Sequence, residues 1–489
     1  MNQNDSAKSK FSETANKKIT TFFEEFQKFT GEYPDFSTTV SIDELRKSDY
    51  PTLDTQNQIY LDYTGAGLFS LSQIKKHHEL LSNNVFGNPH SSNPTSLAMT
   101  KLVEQTRTSV LHFFKADPAE YECIFTNNAS GSLKLVGESY PFSENSHYLL
   151  TYDNHNSVNG IREFARAKGA KINYIPVLLP DLQLDQEELE CQLQQINPGS
   201  NNLFAYPAQS NFSGVQHSLK WIEKAKSYGW DVLLDVAAFV PTNELNLSEI
   251  HPDFVSLSFY KMFGYPTGVG LLIARKEAMK KLKRPWFAGG TITVASVKGD
   301  RFYLHQGAEG FEDGTLNYLS LPAVEIGLNH ISSIGYDVIH KRVMILTDWL
   351  LKRLSNIHHS NGKPLIHIYG PDNCKNRGGT IAMNFYGPDD HFIDQLKVEE
   401  KANKMGISLR TGCFCNPGDG EMALGLSADE LTSCFAIKTN FEYQDFRTCL
   451  TEKTTGAVRV SIGIVSNFND VYQMVKLAES FIDQKYYEA

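Results

Sequence analysis

A lysine and an aspartate in this 489-residue chain each stand where an apolar run ends. Lys261 follows the run Phe254–Phe259 and precedes a turn rich in Gly and Pro, and Asp235 closes the run Asp231–Asp235. A lysine in such a place usually lies along the surface, but a desolvated lysine amine is a nucleophile that forms Schiff bases. A buried Asp is costly unless it is paired or caps a helix. The two residues together predict one site shared by two strand ends.

Three further polar positions follow apolar runs in the same way. Ala129 and Ser130 come just after the run Glu122–Thr126 and open a helical stretch. Free backbone N–H groups there would suit an anion, or would mark only an ordinary helix cap. His155 follows the next run and could stack on a flat ring, although a lone His is most often structural. Asn211 stands in a turn, where Asn is a common residue.

The chain has seven cysteines, and two of them, Cys413 and Cys415, stand one residue apart between Arg410 and an Asn-Pro-Gly turn. A reactive cysteine must be exposed and partly ionised, and this loop suits that need. The pair could also be half of a metal site or two buried thiols. No second Cys pair or His pair at zinc spacing accompanies it, so we predict no metal. The others are expected to be ordinary thiols: Cys123, Cys191, Cys374, Cys434 and Cys449.

The spacing of the apolar runs predicts an α/β fold. Between about residues 100 and 275, helical stretches alternate with short apolar runs, a pattern typical of a mostly parallel sheet covered on both faces. Functional sites in such sheets lie beyond the carboxyl ends of the strands, which is where the polar residues above occur. The predicted strands are Glu122–Thr126, His147–Thr151, Lys171–Pro176, Leu203–Tyr206, Asp231–Asp235, Phe254–Phe259 and Val269–Ala274.

The last third of the chain predicts a smaller α+β domain. A long helical region over 322–357 leads to strands near Gly379–Phe385 and Ala457–Ile462, and then to a final helix from Asp470 to Gln484. We therefore expect an N-terminal segment, 1–55, that packs with the small domain, a large domain over 56–325, and a small domain over 326–489 that carries the cysteine loop.

Composition limits the classes of function. A net charge of −10 argues against general binding of nucleic acid, and an aromatic content of 11% argues against disorder for the bulk of the chain. No apolar run approaches the ~20 residues that span a bilayer, and the polar start of the chain is unlike a signal peptide. We expect a cytoplasmic protein with free thiols that binds neither membrane nor nucleic acid.

Together, Lys261, Asp235, the Ala129–Ser130 turn and His155 resemble the class V aminotransferases, a family of fold-type I pyridoxal phosphate enzymes with a large, mostly parallel sheet and a smaller α+β domain. Within it, the chain is similar to the cysteine desulfurases and to the N-terminal desulfurase domain of molybdenum cofactor sulfurases. The resemblance runs from about residue 32 to 482 in family order. The segments that carry it are Ile42–Arg46, Tyr60–Asp62, Gly87–Ser91, Ser258–Gly268, Phe311–Thr315, Arg410–Gly418 and Gly456–Ser461.

The resemblance implies how a cofactor would be held. Lys261 would carry pyridoxal 5'-phosphate, Asp235 would pair with its ring nitrogen, and His155 would stack on its ring and take part in catalysis. Asn211 would lie beside both the cofactor and the substrate. The residues expected to bind the phosphate are Ala129, Ser130, Ser258, Tyr260 and Thr315, the last reaching over from the neighbouring subunit of a homodimer.

The resemblance also implies the chemistry. Arg459 would grip the substrate carboxylate, for which a guanidinium is well suited, and Arg410 would be a further substrate contact. Lys261 would remove the α-proton as a general base. The Cys415 thiolate would take the sulfur of L-cysteine as a persulfide and leave L-alanine. The expected activity is that of a cysteine desulfurase-like sulfurtransferase of the molybdenum cofactor sulfurase type.

Other functions stay open at this point. The chain could be another class V enzyme, such as a C–S lyase, a selenocysteine lyase or an epimerase. It could also be a non-catalytic scaffold, although the presence of Lys261, Asp235, Cys415 and Arg459 together counts against that. The expected partners are L-cysteine or a related amino acid, a second copy of the chain, and a sulfur-acceptor protein or the molybdenum cofactor.

The chain departs from the family patterns at three places. Ala238 stands where ordinary cysteine desulfurases have Gln, which agrees with the molybdenum cofactor branch. Asp419 and Gly420 stand where cofactor sulfurases commonly have Ala and Cys. The resemblance implies a further domain that binds the molybdenum cofactor in full-length sulfurases, and we expect that domain to be absent from the sequence up to Ala489, so the sulfur acceptor is left open.

Overall fold

The computed structural model describes residues 20–89, 91–197, 199–436, 440, 442–450 and 455–485. His90, in one of the segments that carry the family resemblance, lies outside the described residues. The helices are α1 (20–32), α2 (Ser41–Asp49), α3 (Pro51–Thr55), α4 (Leu71–Ser82), α5 (Pro94–Phe113), α6 (Ala129–Ser139), α7 (Asn156–Asn159), α8 (Ile161–Ala167), α9 (Gln186–Leu193), α10 (Lys220–Ser227), α11 (Phe259–Phe263), α12 (Lys276–Met279), α13 (Leu321–Ile334), α14 (Tyr336–Ser355), α15 (Gln395–Lys404), α16 (Pro417–Ala423), α17 (Ala428–Phe435), α18 (Tyr443–Cys449) and α19 (Phe468–Glu479), with short 3-10 helices at Pro34–Thr39 and Ala308–Phe311.

The strands are β1 (Ile59–Tyr60), β2 (Tyr121–Thr126), β3 (His147–Thr151), β4 (Lys171–Ile175), β5 (Val177–Leu178), β6 (Gln183–Leu184), β7 (Asn202–Pro207), β8 (Trp230–Asp235), β9 (Phe254–Ser258), β10 (Gly270–Arg275), β11 (Ile292–Ser296), β12 (Arg301–Leu304), β13 (Ile366–Tyr369), β14 (Thr380–Tyr386), β15 (Phe392–Ile393), β16 (Ile407–Ser408), β17 (Arg410–Gly412) and β18 (Ala457–Ser461).

Seven strands form the large sheet, in the order β2-β10-β9-β8-β7-β3-β4. Strand β10 runs antiparallel to its neighbours β2 and β9, whereas the remaining pairs are parallel. These are the seven predicted strands, each within one residue of its predicted bounds. The predicted mostly parallel sheet is therefore confirmed.

Burial on both faces explains why the strands read as continuous apolar runs. Every residue of β7 and β8 is buried, as expected for inner strands of a sheet covered by helices on both sides. Strands β2, β3, β7, β8 and β9 all run in one direction, so their carboxyl ends meet at one edge of the sheet. Helices α6, α7 and α11 begin at that edge, at or shortly after the ends of β2, β3 and β9.

A second, antiparallel sheet is built from the last third of the chain. Its strands pair in the order β13-β14-β18-β17, with β15 beside β14. The first helices pack against the last third of the chain. Phe29 of α1 stacks on Phe468 of α19, with ring centroids 4.6 Å apart. In addition, Arg46 of α2 forms a buried ion pair with Asp470 at 2.6 Å.

Two helices differ from the sequence predictions. The single helical region predicted over 322–357 is two helices, α13 and α14, because Gly335 between them has a φ of 87°. That left-handed conformation ends a helix and suits glycine. The final helix runs from Phe468 to Glu479 rather than from Asp470 to Gln484. It begins early because the Asn467 side chain accepts a hydrogen bond from the Asp470 amide and caps the helix there.

Cys434 and Cys449 correct a further expectation. They are not free thiols, because α17 and α18 bring their Cα atoms to 5.8 Å and the sulfurs form a disulfide. A pairing set by how two short helices fold together cannot be read from cysteine spacing alone.

Two searches of the described residues bear on membrane and metal binding. None of their helices is long and apolar enough to cross a bilayer. They also contain no group of three or more His, Cys, Asp or Glu residues that could hold a metal ion.

Candidate active site

A cavity of about 340 Å³ opens at the edge where the carboxyl ends of the parallel strands meet. Eight residues predicted from the sequence line it, namely Ala129, Ser130, His155, Asn211, Asp235, Ser258, Tyr260 and Lys261. Ala238, one of the departures from the desulfurase pattern, lines it as well. The parallel sheet thus brings together side chains from five strand ends, as such sheets do.

Lys261 and Asp235 stand on neighbouring elements of this edge. Lys261 lies on α11, which follows β9 directly, and Asp235 is the last residue of β8. Burial lowers the pKa of Lys261, an effect that Asp235 opposes and that Arg459 and Arg410 reinforce. A lowered pKa leaves more of the amine unprotonated and nucleophilic at neutral pH.

The Asp235 carboxylate is buried without a counter-charge. Its Oδ1 accepts a hydrogen bond from the Ala237 amide at 2.9 Å, and the side chain belongs to a residue that is 8% exposed. It forms no ion pair within 4.0 Å with any residue that the structure describes. A buried carboxylate in this state favours a cationic ligand group, because burial of an unpaired charge is costly.

The N-terminus of α6 and nearby hydroxyls form a cup suited to an anion. Asn128 caps the helix, the Ala129 amide donates to Ser258 Oγ at 2.7 Å, and Ser130 Oγ lies 2.6 Å from Ser157 Oγ. The positive end of the helix dipole and converging N–H and O–H donors stabilise negative charge in such a place.

His155 is held as a neutral ring beside this cup. Its Nδ1 accepts a hydrogen bond from the Ser157 amide at 3.1 Å, so the neutral imidazole carries its proton on Nε2. Burial lowers the pKa of His155, and the nearby Lys261 lowers it further. A neutral imidazole that lines the cavity can lie against a flat ring.

The loop between β17 and α16 carries Cys415 beside the cavity. The Asn156 amide donates to the Cys415 carbonyl at 2.7 Å, and Asn211 Nδ2 donates to the Phe414 carbonyl at 2.7 Å. Asn416 Nδ2 in turn donates to Asn211 Oδ1 at 3.1 Å. These bonds tie the cysteine loop to the segments that follow β3 and β7, which also line the cavity.

The two cysteines of this loop differ in their surroundings. Cys415 is exposed, whereas Cys413 is partly buried and its thiol donates to the Thr455 carbonyl at 3.2 Å. Burial raises the pKa of Cys413 to about 11, and Glu421 and Cys415 add to the shift. Because the thiolate is the nucleophilic form, the geometry favours Cys415 over Cys413 as the reactive thiol.

Arg459 lies on β18, an inner strand of the small sheet, and is almost fully buried, with 2% of its surface exposed. Its Nη1 donates to the Asn211 carbonyl at 2.9 Å and its Nη2 to Asp62 Oδ1 at 3.0 Å, and the Phe414 ring lies 4.6 Å from its guanidinium carbon. Burial lowers the pKa of Arg459 to about 10, against the opposing effect of Asp62. Its Nε has no acceptor, and an unsatisfied buried donor of this kind would be satisfied by an anionic ligand.

Arg410 stays at the rim rather than inside the cavity. Its side chain is 50% exposed, and its Nε and Nη2 both donate to Asp62 Oδ2, at 3.0 and 2.6 Å. Asp62 therefore contacts both arginines that are expected to bind the substrate and offsets one of their two positive charges. No role for Asp62 is predicted from the sequence. Its position just after β1, which is similar to the position of Asp235 at the end of β8, could have indicated a functional carboxylate.

Thr315 does not line the cavity that contains Lys261. It lines an adjoining cavity of about 310 Å³ that shares Asn127, Asn128 and Gly268 with the first. Asn88 Nδ2 donates to its hydroxyl at 3.5 Å. Its contribution to a neighbouring subunit stays a prediction.

Solved structures share this fold. The apo structure of a cysteine desulfurase from Thermococcus onnurineus NA1 matches with a TM-score of 0.74 and 24% identity, covering 90% of this chain and 98% of that one. C-DES, in a structure with glycine covalently linked to its PLP cofactor, matches with a TM-score of 0.66 and 17% identity, covering 89% and 99%. The fold is therefore that of the fold-type I enzymes, as predicted.

Sequence comparison places the chain in a family. The model described as Aminotransferase class-V matches residues 59–474, and the chain belongs to this family, which confirms the predicted resemblance. Molybdenum cofactor sulfurase from Solanum lycopersicum is 38% identical over 490 residues, covering 94% of this chain and 59% of that protein. The protein of the same name from Arabidopsis thaliana is 36% identical over 499 residues, with the same coverage of 94% and 59%. The chain thus spans about three-fifths of the length of these curated relatives.

Proposed function

We propose that the chain is a pyridoxal 5'-phosphate-dependent, cysteine desulfurase-like enzyme. It converts L-cysteine to L-alanine and keeps the sulfur as a persulfide on Cys415. The main support for the proposal is that hydrogen bonds connect residues at the cavity to the cysteine loop. Asn211, which lines the cavity, and Asn156, next to His155, hold the backbone on either side of the Cys415 amide.

The residues present fit the cofactor. Bound pyridoxal phosphate supplies an electron sink for negative charge at the α-carbon of an amino acid. The unpaired carboxylate of Asp235 suits a protonated ring nitrogen, and the amine of Lys261 suits the aldehyde. The α6 cup with Ser130 and Ser258 suits the phosphate, and the neutral ring of His155 suits the face of the pyridine.

Two residues act on the amino acid itself. Arg459 binds the substrate carboxylate, for which its unsatisfied Nε is the available donor, and a guanidinium is the side chain best shaped for that partner. Lys261 Nζ takes the α-proton, because its lowered pKa keeps it available as a free base. Arg410 at the rim places a guanidinium where the carboxylate of the substrate enters.

Sulfur transfer requires no external oxidant. The Cys415 thiolate attacks the sulfur of the bound L-cysteine, an S–S bond forms, and the bond between that sulfur and the substrate β-carbon breaks. A proton then reaches the β-carbon. A thiol and L-cysteine become a persulfide and L-alanine, so atoms and electrons balance.

The enzyme works as a homodimer in which Thr315 completes the phosphate site of the other subunit. The hairpin of β11 and β12, close to Thr315 in the chain, supports this proposal. Its apolar side chains are exposed in the single chain: Val294 is 55%, Val297 100% and Tyr303 60% exposed. Clustered exposed apolar side chains mark interaction surfaces.

The remaining parts of the proposal concern acceptor, location and organisation. The persulfide sulfur passes to a separate protein or to the molybdenum cofactor, in line with the names of the curated relatives. A cytoplasmic location would keep the Cys415 thiol reduced. The chain is divided into a segment 1–55, a large domain 56–325 and a small domain 326–489.

The cofactor claim is tested by absorption spectroscopy. The purified chain supplied with pyridoxal phosphate is expected to show a visible band that Lys261→Ala abolishes. Lys280→Ala, which removes an exposed lysine of α12's C-cap, is the matched control and keeps the band. A wild-type protein that gains no band would contradict the proposal.

The sulfur claim is tested by the fate of L-cysteine. Cys415→Ala is expected to keep the visible band but to form no protein persulfide, whereas Cys191→Ala, another exposed cysteine, behaves as the wild type. If Cys415→Ala instead converts L-cysteine to pyruvate, ammonia and sulfide at the rate at which the wild type consumes it, the chain is a C–S lyase that does not use Cys415.

A further inference from the structure

A buried polar network lies beneath the Cys415 loop. Asn416, 0% exposed, donates through Nδ2 to the Asp153 carbonyl at 2.8 Å, and its Oδ1 accepts from the Asp419 amide at 3.2 Å, which caps α16. Asp419 is also 0% exposed, and its Oδ2 accepts from Ser210 Oγ at 2.5 Å. The network joins the cysteine loop to segments that follow β3 and β7.

Close packing fixes this contact between the two parts of the fold. A Cβ placed on Gly418 would stand 2.1 Å from the Tyr152 carbonyl oxygen, so the first turn of α16 lies directly on the backbone before Asp153. The loop that carries the exposed Cys415 is therefore anchored one residue further on by groups without access to solvent.

Two carboxyl groups in this network differ in their partners. Asp153 Oδ1 and Asp419 Oδ1 are both buried without a hydrogen-bond partner. Asp153 Oδ2 contacts His217 Nε2 at 2.5 Å, but Asp419 forms no ion pair with any residue that the structure describes. Asp153 therefore has a partner for its charge, whereas an ionised Asp419 would be a second, unpaired carboxylate in one buried site, which is unfavourable.

We propose that the buried Asp419 carboxyl holds a proton, and that this proton keeps the Cys415 loop packed on the large sheet, as a latch that opens when the proton is lost. Loss of the proton to water leaves two like charges across the contact between α16 and the end of β3, and the loop is released. The Cys415 thiol can then carry sulfur away from the cavity. The latch depends on the folded chain and not on the cofactor.

The electrostatic surroundings agree with a protonated Asp419. Burial raises the pKa of Asp419 well above its ordinary value, and the nearby Asp153 adds to the shift. The titratable group that acts on it from the end of β3 is Asp153, which in turn contacts His217. The titratable groups nearest to it in sequence are Glu421 on α16 and Cys415 and Cys413 on the loop.

The sign of the linkage follows from the raised pKa. The folded protein binds the proton of Asp419 more tightly than the unfolded chain does. The contribution of this proton to the stability of the fold is therefore complete below the pKa of an Asp in the unfolded chain. It is lost as the pH rises through the folded pKa. The latch is therefore closed at low pH and opens as the pH increases.

The rate of alkylation of Cys415 tests the latch in the full chain. Iodoacetamide is the probe, and modified peptides are quantified by mass spectrometry between pH 6 and pH 9. Asp419→Asn keeps the shape of the side chain but removes the titrating proton. Both proteins share the same Cys415 thiol chemistry, so the ratio of the wild-type rate to the variant rate isolates the latch. We expect this ratio to rise with pH by about tenfold, the factor that corresponds to one pKa unit.

Two further variants define the outcome. The alkylation rate of each is again divided by that of Asp419→Asn. For Asp153→Asn this ratio is expected to change little with pH. For Asp429→Asn, which replaces an exposed Asp on α17, the ratio is expected to rise with pH as it does for the wild type. A wild-type ratio that does not change with pH would overturn the proposal.

A wild-type measurement covers the case in which Asp419→Asn fails to fold. The amide-exchange protection factors of residues 413–420 should fall with rising pH while those of α19 do not. Equal behaviour of the two segments would contradict the latch. Neither experiment requires turnover, so their failure would leave the proposed desulfurase activity untouched.

Discussion

Asp62 and Arg459 lie 397 positions apart in the sequence, and Arg459 Nη2 donates to Asp62 Oδ1 at 3.0 Å. The same carboxylate accepts two hydrogen bonds at Oδ2 from Arg410. A single carboxylate thus lies between a buried and a rim guanidinium, offsets one of their two positive charges and reduces the repulsion between them. Because Asp62 opposes the lowering of the pKa of Arg459 by burial, the relationship explains how this buried guanidinium stays charged.

Replacement of Asp62 tests this relationship. Asp62→Asn removes the counter-charge of a buried arginine, so the free energy of unfolding is expected to fall by about 3 kcal/mol. Because Arg459 loses its fixed orientation, the KM for L-cysteine is expected to rise by about tenfold or more. Denaturant unfolding and steady-state alanine formation measure the two effects.

A matched control accompanies that variant. Asp181→Asn changes an exposed Asp on a turn and should leave both quantities unchanged. An Asp62→Asn enzyme with wild-type KM would show that Arg459 does not depend on Asp62 for its orientation.

Asp235 provides a prediction about catalysis. Asp235→Asn keeps the shape of the side chain but removes the buried negative charge that suits a protonated ring nitrogen. Alanine formation is expected to fall by about 100-fold or more, while the visible band persists because Lys261 is intact. A variant of wild-type activity would show that the carboxylate does not act on the cofactor.

The strand ends explain how much of the site the sequence predicts. Asp235 and Lys261 could be placed in one cavity because each ends a recognisable apolar run, and parallel strands end at a common edge. Asp62 and Arg459 could not be paired, because they meet only when the small sheet folds back against the start of the chain. Asn156 acts through its backbone amide, so its side-chain type carries no signal. The Cys434–Cys449 disulfide likewise depends on the packing of two short helices.

The pH dependence of thiol modification separates the two loop cysteines. Burial raises the pKa of Cys413 to about 11, so below that pH its thiol stays largely protonated and its reaction with iodoacetamide is slow. Peptide mass spectrometry at pH 8 is expected to find label on Cys415 well before Cys413. Equal labelling of both would contradict the assignment of Cys415 as the reactive thiol.

Gly418 tests whether the cysteine loop needs its close contact with the end of β3. Gly418→Ala places a Cβ 2.1 Å from the Tyr152 carbonyl oxygen, so the loop must shift at a cost of about 1–3 kcal/mol. We expect a lower melting temperature and a lower yield of Cys415 persulfide. Gly31→Ala, where a Cβ meets nothing within 4 Å, is the control and should change neither.

Val297 tests the proposed dimer. It is 100% exposed in the single chain, and Val297→Asp would bury a charge if the hairpin of β11 and β12 lies in an interface. Analytical ultracentrifugation is expected to find a dimer for the wild type and a larger monomer fraction for the variant. A wild type that sediments as a monomer would rule out the contribution of Thr315 to a second subunit.

The transfer of sulfur from L-cysteine to Cys415 can be observed directly. The cofactor-loaded protein is exposed once to L-cysteine, and its peptides are then examined by mass spectrometry. We expect one extra sulfur atom, located by fragmentation on Cys415, in an amount equal to the alanine formed in the first turnover. Alanine formed without added sulfur on Cys415, or with the sulfur on Cys413, would contradict this expectation.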